Sequence, residues 1–210
     1  DEKVDAENEP LLFVSANKNK LQYANKLLHN LAVDVKCVEF KLYDALYIND
    51  IFLVAAFKAT EAYDRSRKPC IVMDTGFYIN NYPGEREFPG SLINENLLIP
   101  LGVDGLLEKM KDVNDRSCYF KECLVYYDGS HLQTFYGYRF GNLLTEKRGS
   151  STVEAWSELW SVFEPRNSHK TLAEMTEEER HDKKDGHTEA LEEFAAWYRQ
   201  KNPQKVLKKQ

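Results

Sequence analysis

No stretch of this chain approaches the ~18 consecutive apolar residues of a membrane-crossing helix, so none is expected. Cysteine is sparse: Cys37, Cys70, Cys118 and Cys123 are the only four in 210 residues, and none sits in a CxxC pair. That spacing argues against a zinc site or a disulfide frame and for reduced thiols in an intracellular, cytoplasmic protein. Positive charge is not in excess either, since 28 Lys and Arg stand against 34 Asp and Glu, giving a formal charge of −6. A general nucleic-acid surface is therefore not indicated. There is no internal repeat, no Met at position 1, and no apolar stretch behind a basic start that would read as a secretion signal. What the chain does hold is apolar mass, 42% hydrophobic with 12% aromatic, which is enough to offset ordering entropy over one compact domain or two small ones.

Polarity divides the chain into an acidic arm over residues 1–10, a folded body over residues 11–200 and a basic tail over residues 201–210. The apolar run LLFVSA at residues 11–16, followed at once by polar Asn17, Lys18, Asn19 and Lys20, reads as a buried strand ending at a helix start. Leu21, Ala24, Leu27 and Leu28 recur at helical spacing with Lys26 and His29 left outside. A second helix is expected over residues 48–63, and PCIVMDTG at residues 69–76 reads as a buried strand ending in a polar turn. Farther on, SCYFKECLVYYD and HLQTFYGYRFG flank a turn at Asp128–Ser130, with Thr134, Tyr136, Tyr138 and Phe140 at strand spacing, the pattern of a long antiparallel hairpin. Helices are expected over residues 153–163 and 177–198. The order implies an α/β fold with an antiparallel appendage.

In open α/β sheets ligands sit outside the carboxyl ends of strands, so residues 17–20 and 74–76 are natural partners across one crevice. Asn17-x-x-Lys20, with Ser15 two residues earlier, places an amide, an ammonium and a hydroxyl where free backbone N–H groups favour an anion. The competing reading is an ordinary helix N-terminus. A carboxylate at the end of an apolar strand, Asp74, needs Mg²⁺ or a lysine beside it, or else caps the next turn.

Seven blocks then arrive in one order: VSANKNKLQYANKLL, Lys58-Ala59, IVMDTGF, FPGSLIN, GVDGLLEKM, DRSCYF and KTLAEMTEEER. With them the chain resembles the inosine triphosphate pyrophosphatase family over about residues 11–198. The resemblance implies an elongated, two-lobed fold with a central twisted mixed β-sheet, flanking helices and a long antiparallel hairpin. It implies Mg²⁺-dependent hydrolysis of deaminated purine (deoxy)nucleoside triphosphates such as ITP, dITP and XTP to the monophosphate and pyrophosphate. Residue by residue, T-G-N-x-x-K appears as Ser15-Ala16-Asn17-Lys18-Asn19-Lys20, and E-D-T/S-G-L as Met73-Asp74-Thr75-Gly76-Phe77, so the first acid is lost. Ser15, Asn17, Lys20, Lys58, Thr75 and Gly76 are then the phosphate-binding residues, Asp74 and Lys20 the catalytic ones, and Asp44 (or Glu39) and Asp74 the metal-binding acids. Lys58, read alone, is equally a surface helix lysine.

The base end departs further. Asn94 stands where a lysine is found in eukaryotic members, and the F-G-W/Y-D-P motif has no clean copy, leaving Trp156 or Trp160 to stack on a purine or to sit in the core. Arg180 takes the place of a ligand-facing lysine. The S-H-R triplet that reads the 6-oxo edge is absent, and His187 matches its histidine only with a one-residue shift and no arginine behind it. Discrimination among purines is therefore expected to be altered.

Family members are usually homodimers, and the aromatic hairpin around Tyr136 and Phe140 is a candidate interface. Relatives also occur inside the polyproteins of some plant viruses of the potyvirus group. The Asp1 start and Gln210 end fit such an origin, with a viral replication protein as a partner, although cropping accounts for them as well. A nucleotide-binding or protein-interaction module that has lost turnover is the alternative function. RNA association through Lys201–Lys209 is a third.

Overall fold

The first strand, β1 (Leu12–Ser15), stops where the polar run begins, and Asn17 caps the helix that follows, α1 (Lys18–Asn30), by accepting from the Lys20 N–H at 3.1 Å. This is seen in a computed structural model that describes residues 10–42, 48–150 and 157–205. The chain continues through β2 (Lys36–Glu39) and α2 (Ile51–Ser66), which Asp50 caps. Next come β3 (Cys70–Ile79), β4 (Phe88–Gly90), a π-helical turn (Asn94–Leu98) and α3 (Gly102–Lys109). The hairpin is β5 (Ser117–Tyr127) and β6 (Leu132–Leu143), and β7 (Phe163–Pro165), α4 (Glu177–His181) and α5 (Ala190–Lys201) complete the fold.

The strands form one mixed sheet in the order β2-β1-β3-β5-β6-β7, with β4 attached to β3. Alternation along the strands assigns the two faces. Phe13, Ile71, Met73 and Leu124 pack against Leu21, Ala24 and Leu28 of α1 and against Leu191, Phe194 and Ala195 of α5. Leu12, Val14, Cys70, Val72, Cys123 and Val125 pack against Ile51, Ala55, Ala59 and Ala62 of α2, whose small side chains let the helix lie close to the sheet. A third cluster, built on Phe77, Ile79, Leu97, Leu106, Met110, Phe120 and Phe163, fills the far end.

Three sequence expectations are corrected. The strand expected to end at Gly76 runs on to Ile79, because β5 pairs with it in register from Cys70↔Tyr127 to Ile79↔Cys118. Asp74 therefore lies in mid-strand, not in a turn. Instead of a helix over residues 153–163 there is a single 3₁₀ turn (Glu158–Ser161) running into β7, which pairs with β6; residues 153–156 lie outside the described residues. The helix expected over residues 177–198 is broken. Gly186 adopts a left-handed conformation (φ 73°), and Thr188 exchanges backbone hydrogen bonds with Tyr138 of β6 at 3.0 and 3.2 Å, which strand hydrogen bonding favours over helix here. Of the arm and tail, residues 1–9 and 206–210 lie outside the described residues, and Lys201 is the last residue of α5.

Candidate active site

On the side of β3 away from β5, β1 pairs only with Cys70 and Ile71, and β4 takes over at Phe77. The stretch between them, Val72 to Gly76, has no strand neighbour on that edge among the described residues. A cleft of about 470 Å³ opens there, within the range of nucleotide-sized pockets. Strand alternation sends Asp74 to the α2 side of the opening and Thr75 to the α1 side.

Lys58 of α2 meets Asp74 Oδ1 at 3.1 Å, with both side chains less than a fifth exposed. Lys20, on the first turn of α1, donates to the Met73 carbonyl at 3.2 Å. Burial pushes the Lys20 ammonium below its ordinary value, more than the nearby Asp74 carboxylate raises it. Asp74 Oδ2 and the Thr75 hydroxyl are buried without a hydrogen-bond partner. Buried polar atoms are rarely left so, and a hard oxygen beside a second oxygen donor in a cleft with two ammonium groups fits a cation or phosphate oxygens.

Of the residues expected to hold phosphate, Asn17, Lys20, Lys58 and Thr75 line this cleft together with Asp74. Ser15 and Gly76 do not reach its wall. The Ser15 hydroxyl accepts from the Asn17 N–H at 3.1 Å and so holds the helix start, while a Cβ at Gly76 would come within 2.7 Å of the Tyr78 ring. Asn94 lies on the wall. Glu39 is exposed and 3.8 Å from Lys18, outside the wall, and Asp44 lies outside the described residues, as does Trp156.

The other end of the cleft holds Phe120, Trp160, Leu172, Arg180 and His187. The Arg180 guanidinium covers the Trp160 ring at 5.0 Å, so this ring is neither free nor wholly a core group. His187, expected on a solvated segment or at the base, is buried. Its Nδ1 lies 2.6 Å from Asp185 Oδ1, and the Lys183 ammonium is 3.2 Å from Nε2. Burial would raise Asp185, but the hydrogen bond from His187 and the Arg139 guanidinium outweigh it and hold that carboxyl well below the usual range.

Sequence reasoning missed Glu122, Arg139 and Glu189, all on the wall of this cleft. Each is a charge inside or beside an apolar strand or helix pattern, and that was the available signal. Glu122 accepts from the Ala190 N–H at 3.0 Å across Gly137, where a Cβ would come within 2.7 Å of backbone atoms of Thr188 and Ala190. Burial pushes Glu122 up against the opposing effect of that N–H and of Lys20.

Glu189 accepts from Tyr23, and its other oxygen lies 3.1 Å from Lys183. Burial and the neighbouring Glu192 push it up to about 8. A carboxyl that binds its proton more tightly in the native state than in the unfolded chain makes stability fall as pH rises between the two values, here from 4.5 to about 8. Glu189→Gln removes that pH dependence. Melting curves over this range are expected to show a downward slope in the parent that flattens in the variant, and equal slopes would show that Glu189 titrates normally.

The Ham1 family pattern matches residues 11–197. The chain is 28% identical over 193 residues to the dITP/XTP pyrophosphatase of Hyperthermus butylicus, covering 92% of this chain and 96% of that one. It is 29% identical over 190 residues to the dITP/XTP pyrophosphatase of Thermococcus kodakarensis, covering 90% and 97%. Its fold superimposes on a HAM1 protein from Coxiella burnetii with a TM-score of 0.73 at 20% identity, over 92% of this chain and 100% of that one. With its ordered motifs, its mixed sheet and a family match across nearly the whole chain, the protein belongs to the Ham1 family, the inosine triphosphate pyrophosphatases.

Proposed function

We propose that this chain hydrolyses deaminated purine nucleoside triphosphates, ITP, dITP and XTP, between the α and β phosphates to give the monophosphate and pyrophosphate. The observation that carries the reading is the single cleft joining two unlike ends. One end has two lysines, a partnerless carboxylate oxygen and a partnerless hydroxyl, and the other has aromatic and guanidinium groups. The names of the relatives, dITP/XTP pyrophosphatases, point to two of these substrates.

In this reading Lys20 and Lys58 hold phosphate oxygens, Asn17 fixes the start of α1 over them, and the Thr75 hydroxyl takes its partner from the phosphate. Asp74 Oδ2 orients the attacking water and accepts its proton, work that needs positioning more than covalent chemistry. Mg²⁺ is the proposed cofactor, with Asp74 and Asp44 as its acids, and when bound it neutralises charge on the phosphates. The base lies at the Trp160 and Arg180 end. The active unit in this reading is a homodimer, and the partly exposed Tyr136 and Phe140 of β6 support that by leaving an aromatic face open for a second copy.

Pyrophosphate release from ITP, dITP, XTP, ATP and GTP, with and without Mg²⁺, tests the proposal. Release that favours the deaminated purines and requires the metal is expected. A folded sample that binds these nucleotides and releases no pyrophosphate would leave a binding module on the same fold.

A further inference from the structure

Glu189 and Glu122 both line the cleft, but they are engaged differently. Both oxygens of Glu189 are taken, one by Tyr23 and the other by Lys183. Glu122 uses only one. Its Oε2 accepts from the Ala190 N–H at 3.0 Å, while Oε1 accepts no hydrogen bond among the described residues and, unlike Asp74 Oδ2, is not sealed from the opening. A carboxylate has two acceptor oxygens in one rigid plane, so anchoring one aims the other. The anchor depends on Gly137 of β6, directly opposite Glu122, where a Cβ would come within 2.9 Å of Oε2.

Register places this oxygen between the two ends of the cleft. Glu122 pairs with Thr75 of β3 in one cross-strand row, so it is a single strand away from the end with Lys20 and Thr75. Phe120, two residues back along β5 on the same face, belongs to the aromatic end, about 7 Å away at the rise of a strand. A nucleoside triphosphate with its phosphates at Lys20 and Thr75 and its base beside Trp160 has its sugar over Glu122. Charge agrees with that placement. A carboxylate repels phosphate oxygens and matches a neutral donor, and the donors in the middle of such a substrate are the sugar hydroxyls. The nearby Lys20 ammonium and Arg139 guanidinium favour the charged form of Glu122 against burial.

We propose that Glu122 is a specificity-determining residue whose Oε1 accepts a hydrogen bond from a sugar hydroxyl of the bound nucleotide. The proposal rests on the hydrolase reading above and adds selection at the sugar to it. A hydrogen bond from a hydroxyl to a charged acceptor is among the stronger ones. A site built to accept from a substrate hydroxyl also discriminates against an analogue that lacks it, because the acceptor is then covered and left unpaired. The competing role is structural: Glu122 caps α5, whose own N-terminal Glu189 makes no capping bond. That role needs Oε2 alone and leaves Oε1 without a purpose.

The test is kcat/KM for ITP, for dITP, which lacks the 2′ hydroxyl, and for 3′-deoxy-ITP, in the full chain and in Glu122→Ala. The parent is expected to favour ITP over one of the two deoxy analogues by about tenfold or more, the size of one hydrogen bond to a charged group, and that analogue identifies the hydroxyl. In the variant the preference is expected to disappear. Loss of the cap alone would lower all three substrates together and leave the ratios in place, and that result would overturn the inference while the hydrolase reading stood. Glu122→Gln, which keeps an acceptor for the Ala190 N–H and turns an uncharged amide to the cleft, gives the same readout with a smaller fall if the alanine variant does not fold. A parent that turns over all three equally would overturn the inference without any variant. A parent that releases no pyrophosphate from any nucleotide would remove the hydrolase reading, and this inference with it.

Discussion

Asp74→Asn is expected to lower pyrophosphate release by about 10³-fold, within the usual 10²–10⁴ range for a positioned general base, with little change in thermal midpoint. Asp74 sits on the one stretch of β3 that lacks a strand neighbour on the cleft side among the described residues, so its carboxylate faces the opening and is not packed under β1. Oδ1 is held by Lys58 at 3.1 Å and Oδ2 has no partner, which leaves the second oxygen for water or a cation. The asparagine amide has the same shape and keeps an acceptor for Lys58. It loses the lone pair that would take a proton and the whole negative charge that would attract a hard cation. Initial rates of pyrophosphate release beside a melting curve check this. Kinetics within twofold of the parent would remove Asp74 from the mechanism.

Lys20→Met is expected to move turnover and stability in opposite directions. The Lys20 ammonium is packed at the foot of α1 with the Met73 carbonyl at 3.2 Å, and burial already pushes it toward its neutral form. Without a triphosphate it carries a desolvation cost that methionine, of similar length and flexibility, does not. Replacing buried charge by a well-packed apolar residue is often neutral or stabilising, by about 1–4 kcal/mol in buried ion pairs. The thermal midpoint should therefore hold or rise, while kcat/KM should drop at least 100-fold, the cost of removing a charge preorganised for a developing anion. A variant that is less stable and equally active would show that Lys20 serves the fold and not the phosphates.

Asn17 and Lys20, at the end proposed for phosphate, were legible in the sequence because they sit at a strand end and a helix start, where local rules apply. A short apolar run followed by Asn17-x-x-Lys20 is a strand, a cap and a helix by spacing alone, and the cap forms as expected. Lys58 could not be separated from a surface lysine without knowing which strand face lies beneath α2. The β3–α2 packing decides it by bringing Asp74 within 3.1 Å. The base end was less legible for a different reason. A periodic apolar pattern over residues 177–198 looks helical throughout, but hydrogen bonds between Thr188 and Tyr138 break the helix and drive His187 inward.

Sequence by itself determined the α/β class, the first strand and its helix, the long hairpin, and Asn17, Lys20 and Asp74 as neighbours across one cleft. Those follow from periodicity, from capping chemistry and from the cost of an unpaired charge in an apolar run, all of which act between near neighbours. Only the tertiary structure decided that Asp74 lies in mid-strand at a gap between β1 and β4, that Glu122 and Glu189 line the same cleft, and that Arg139 stands beside His187. Register across β5 and β6 and the chain crossing at Thr188 bring those groups together, and pairings of residues so far apart leave no period in the sequence to read.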